Sequence, residues 1–101
     1  MTDRELLEFA ANAAGLDLDQ NRRDFPLIFV GGEHRDWNPL TDDGDALRLA
    51  VRVGMLFAYA GDGFETFQRL YREELDANKR PSEATRRAIV RTAAAMAVGA
   101  A

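Results

Sequence analysis

Alanine supplies 17 of the 47 apolar residues in this chain and leaves only 30 larger side chains to fill a core. A core built from so few bulky groups is thin and helix-rich. Each large side chain in it counts, because a domain of this size is stable by only about 5–15 kcal/mol. The length of 101 residues suits one domain over 1–101 and not two independent cores.

The remaining composition removes whole classes of chemistry. Without cysteine there are no disulfides, thiolate metal sites or cysteine nucleophiles. A single histidine excludes any site that needs two. The formal net charge of −4 argues against a generic polyanion binder. No stretch approaches the roughly 20 apolar residues of a membrane span. Met1 to Glu8 is too charged for a signal peptide, so the cytoplasm is the expected compartment. Charge is uneven. Residues 1–50 hold 11 acids and 5 bases, net −6, and residues 51–101 hold 6 acids and 8 bases, net +2.

Residues 2–14 read as an amphipathic helix. Thr2 and Glu5 have the spacing of a capping box, and Leu6, Phe9, Ala10 and Ala13 form one stripe. Gly15 suits the position just past its end, where positive φ is needed. Residues 17–25 are polar and without period, which predicts a loop. Pro26 to Val30 is a short strand stopped by Gly31-Gly32. Glu33 to Leu40 reads as a turn region. Thr41, Asp42 or Asp43 then caps a second helix that ends near Gly54. Leu47, Ala50, Val51 and Gly54 make one face of it with Leu49 and Val53 beside, an apolar surface wide enough to predict substantial burial. Arg48 and Arg52 mark its solvent side. The last helix opens at Pro81-Ser82 with Ser82 as cap. It carries Thr85, Ala88, Ile89, Thr92, Ala95 and Met96 on one face, and Val98 to Ala101 is expected to fray.

Met55 to Tyr71 admits two readings. Phe64, Phe67, Leu70, Tyr71 and Leu75 recur at helical spacing, so 64–76 alone is an amphipathic helix. Gly61-Asp62-Gly63 is a strong turn signal between two apolar runs, and with it 55–60 and 64–71 form a hairpin.

The segment Trp37-Asn-Pro-Leu-Thr-Asp-Asp-Gly-Asp-Ala-Leu-Arg-Leu-Ala-Val51 resembles a motif of small prophage-encoded proteins of the phage ABA-sandwich domain family. Ala84-Thr-Arg-Arg-Ala-Ile-Val-Arg91 is similar to the C-terminal helix of that group, and the opening Met1 to Glu8 is also similar. The resemblance implies strands between the two motifs and tips 55–71 toward the hairpin. It implies no established catalytic residues. The expected fold is therefore α+β. Helices over 2–15, 42–54 and 82–98 pack on a three-stranded antiparallel sheet from 26–31, 55–60 and 64–71, in the order α-β-α-β-β-α. Both faces of the sheet meet helices, as in an ABA sandwich.

Four constellations carry candidate chemistry. Asp42, Asp43 and Asp45, with Asn38 upstream, form the densest acidic cluster. They lack the spacing of a calcium loop, and capping the second helix accounts for them. Trp37, the only tryptophan, is either a partner anchor or a core plug over that helix. His34, with Asp36 as orienter, has the form of a general base, but Ser82, the only serine, is remote in sequence. The Gly31-Gly32-Glu33-His34 turn lacks every phosphate-loop signature. Arg86, Arg87 and Arg91 make the basic patch. They suit phosphates, or salt bridges to the acidic half.

These observations predict a phage or prophage accessory protein that is not an enzyme, carries no cofactor or metal, and binds a host or phage protein through Trp37, Asp42, Asp43 and Asp45. The open edges of a small sheet make a homodimer plausible. The alternative is a weak nucleic-acid binder on Arg86, Arg87 and Arg91. A metal-dependent hydrolase at Asp42, Asp43 and Asp45 ranks last.

Overall fold

Both ends of the first helix are encoded locally. Thr2 Oγ1 accepts from the Glu5 amide at 3.1 Å, and the Glu5 carboxylate accepts from the Thr2 amide at 2.9 Å. This reciprocal box satisfies two of the amides that a helix start leaves free. At the other end the Leu16 amide donates to the Ala11 carbonyl at 2.8 Å and Gly15 donates to Asn12 at 3.1 Å. That is a Schellman stop, and Gly15 supplies its left-handed residue at φ +70°. The helix between these caps is α1 (Asp3–Ala13).

The computed structural model describes residues 1–19, 27–56 and 62–99. After α1 come β1 (Asp17–Leu18), β2 (Leu27–Val30) and β3 (Glu33–Asp36), then α2 (Asp43–Val53), α3 (Gly63–Asp76) and α4 (Pro81–Gly99). The fold is α+β, with a small three-stranded antiparallel sheet in the order β1-β2-β3. Gly31 and Gly32 form a two-residue connection between the paired Val30 and Glu33. Both have positive φ, at +59° and +84°, as a primed hairpin turn requires.

Several expectations are corrected. The third strand is 33–36, where a turn region is expected, and a short strand occupies 17–18, inside the expected loop. Residues 64–71 are not a strand: they belong to α3. Helical spacing prevails there because Leu70 and Glu74, four residues apart, both bury against α4. Met55 and Leu56 lie in a turn, and the rest of the expected strand 55–60 lies outside the described residues. Four helices are therefore present among the described residues rather than three, and the element order differs from α-β-α-β-β-α. Ser82 is not the cap of α4. The Ala84 amide already donates to the Arg80 carbonyl at 2.7 Å, so Pro81 opens the helix and Ser82 sits in its first turn. α4 continues through Val98 to Gly99.

The core centres on α4, which packs against α1, α2 and α3. Ala84, Ala88, Ala93 and Ala94 are buried on it, and their small side chains let neighbouring backbones come close. Buried residues surround α4 instead of forming one stripe, as expected of a helix enclosed by others. Ala95, grouped by spacing on one face with Ala88, Ile89 and Thr92, is exposed while those three are buried. The sheet joins this bundle chiefly through β1 on α1. A sandwich with helices over both sheet faces is not what forms: Phe29 and Val30, on opposite faces of β2, are both exposed.

Candidate functional site

α2 has one covered apolar edge and one bare one. Asp42 caps its start, its carboxylate accepting from the Asp45 amide at 2.8 Å. Ala46, Leu49 and Ala50 then turn inward, and α2 packs on α4. Leu47 and Val51 share the adjacent edge, four residues apart, and are 57% and 58% exposed. The wide apolar stripe of α2 is thus only half buried.

The bare edge faces the sheet across a groove of about 550 Å³. Ile28 and Val30 of β2 form the opposite wall, and Leu16, Trp37 and Leu49 add to the apolar lining. Among the described residues Arg35, Arg48 and Arg52 are its charged lining, and no carboxylate lines it. A concave apolar surface with a few polar groups at its rim is the usual form of a binding site.

The Trp37 segment is held by a compact polar knot. The buried Asp45 carboxylate accepts from the Asn38 amide at 3.0 Å and from Arg48 Nη2 at 2.7 Å. Asn38 Oδ1 accepts from the Leu40 amide at 3.0 Å, which turns the chain around Pro39. Trp37, 3% exposed, is thereby pinned in the core with part of its surface in the groove. It is not an exposed anchor.

The acidic cluster is divided among different tasks. Asp42 caps α2, Asp45 ties the knot, and Asp43 accepts from Arg86 Nη1 at 2.8 Å. Among the described residues no three His, Asp or Glu side chains are grouped so as to hold a metal.

The arginine helix is equally committed. Arg86 Nε also donates to the Leu40 carbonyl at 2.9 Å, which joins α4 to the start of α2. Arg87 reaches Glu74 at 3.1 Å and Asp3 at 3.2 Å. Arg91 reaches Glu74 at 3.3 Å and Glu73 at 3.1 Å. The three guanidiniums therefore link α4 to α1, α2 and α3. Of the two uses open to this patch, salt bridges to the acidic half are present in part, through Asp3 and Asp43.

His34 pairs with Asp19 at 3.3 Å and not with Asp36, and the Phe29 ring lies edge-on to it at 5.2 Å. Ser82 is on a different element, the first turn of α4. Among titratable groups, Glu5 is held below the ordinary glutamate value, first by the Thr2 amide and then by the Thr2 hydroxyl.

Sequence reasoning misses the groove. Its signal is the pair Leu47 and Val51, which lies beside the inward residues within one continuous apolar stripe. Among the described residues no helix is long and apolar enough to cross a membrane. Comparison with protein-family models, curated proteins and solved structures returns no match for this chain.

Proposed function

We propose that this chain is a non-enzymatic protein-interaction module, an accessory protein of the kind the prophage resemblance implies, and that it binds its partner along the bare edge of α2 and the groove beside it. The observation that carries this reading is the exposure of Leu47 and Val51 together, next to a concave apolar surface. Scattered surface leucines need no explanation, but a contiguous apolar ridge beside a groove marks an interaction site. Asp42, Asp43 and Asp45 support that site from behind: they position α2 and Trp37 and do not themselves face the groove.

The nucleic-acid alternative is less well supported. Phosphates on Arg86, Arg87 and Arg91 would compete with the carboxylates that already hold these side chains.

A photocrosslinking amino acid in place of Val51 tests the reading in cells that natively carry the gene, with the same group in place of the exposed Arg69 on α3 as the control. A discrete adduct from position 51 that Leu47→Gln abolishes is the expected result. Equal adducts from both positions, or none from position 51, would refute the proposal.

A further inference from the structure

The groove differs in sign from the chain around it. The protein carries a net charge of −4, yet among the described residues every charged one that lines the groove is an arginine. The three are not equivalent. Arg48 is neutralised by Asp45 at 2.7 Å. Arg52 donates from Nε to the Ala14 carbonyl, a neutral acceptor, and has no carboxylate partner among the described residues. The Arg35 side chain projects from β3, and its guanidinium has neither a hydrogen bond nor an ion pair among the described residues. Two guanidinium charges therefore flank an apolar surface without counter-charge among the described residues.

We infer that the groove takes a segment of a partner protein that presents apolar side chains flanked by carboxylates. This rests on the interaction reading above and names the chemistry of its partner. An apolar segment without acids would cover Arg35 and Arg52 and leave two desolvated, unpaired charges, which is costly. A carboxylate at each removes that penalty and adds charge-assisted, bidentate hydrogen bonds. A second copy of this chain is a poor fit. Two-fold pairing through the groove would bring its arginines against a surface that, among the described residues, has no carboxylate to receive them. A small amphiphile is also a poor fit. A single anionic head group would meet only one of the two unpaired guanidiniums and leave the other desolvated.

The probe is a displayed library of random peptides about 12 residues long, comparable to the 11 residues of α2. It is selected against the full chain, and enriched peptides are then titrated with Trp37 emission as the readout. Trp37 is the only tryptophan and lines the groove, so occupancy changes its surroundings directly. The expected pool combines apolar residues with Asp or Glu. Its binding falls by about tenfold or more with Val51→Gln and with Arg35→Glu, and weakens as salt is raised. Peptides that need Val51 but lack acids and ignore Arg35→Glu would overturn this inference and leave the interaction reading standing. A chain that enriches no peptide dependent on Val51, or that self-associates in a Val51-dependent way instead, would overturn both.

Discussion

Glu74 of α3 and Arg87 of α4 are joined at 3.1 Å, and the Glu74 side chain is almost completely buried where they meet. Arg91 holds the other carboxylate oxygen at 3.3 Å. One acid on the otherwise apolar contact face of α3 thus receives two guanidiniums from successive turns of α4. The pairing fixes the axial register of two helices whose contact also buries Leu70 of α3 and sets Met96 of α4 against Gly63.

Replacement of that acid leaves two arginines facing a dry interface. Both guanidiniums are partly exposed, so solvent offsets some of the penalty. Glu74→Ala is expected to lower unfolding free energy by about 1–3 kcal/mol in denaturant titration. Arg69→Ala, which breaks only an exposed pair with Glu73, is expected to change it by about 0.5 kcal/mol or less.

Leu49 and Leu47 are neighbours on α2 with opposite environments, 1% and 57% exposed. Leu49→Ala opens a cavity beside α4 and should cost about 2–5 kcal/mol. Leu47→Ala removes no packed neighbour and should stay within about 0.5 kcal/mol of the parent. Equal losses at both positions would mean that the ridge is core.

The α1 cap makes stability depend on pH in a defined direction. The folded state holds Glu5 below its ordinary pKa. The contribution is therefore present above the unfolded glutamate value and is lost as pH falls through the lowered, folded value. In Glu5→Gln the group is neutral throughout. The difference in Tm between parent and variant is expected to be largest near neutrality and to vanish in strong acid.

The β2–β3 hairpin depends on two residues with positive φ. Gly31→Asn should be tolerated, since asparagine enters the left-handed region readily. Gly32→Val is expected to cost about 1–2 kcal/mol and to release β3 first, seen as loss of amide protection at the hydrogen-bonded Ile28–Arg35 pair.

Much of the helical framework is legible in the sequence because its signals are local. The Thr2–Glu5 box, Gly15, the acidic start of α2 and Gly54 all stand within a turn of the helix ends they define. The period of Phe64, Phe67 and Leu70 also reports α3 correctly. The family resemblance, which favours strands there, points the other way. β3 is not legible by alternation: Glu33, His34, Arg35 and Asp36 are all polar and all exposed. Its usable signal is the Gly31-Gly32 pair, read as a hairpin turn rather than as a stop. The groove is hidden for a different reason. A stripe of apolar residues on α2 shows which side avoids water, but only the placement of α4 decides which part of that side is covered.

The measurement that bears most directly on the binding site is calorimetry of the tightest selected peptide, at several temperatures, on the parent chain and on the Leu47→Gln/Val51→Gln double variant. Both chains should unfold at the same denaturant midpoint. Saturable binding with a negative heat-capacity change is predicted for the parent, as apolar surface is buried, and no binding for the variant. Equal affinity for both chains would contradict the assignment of this edge of α2 as the recognition surface.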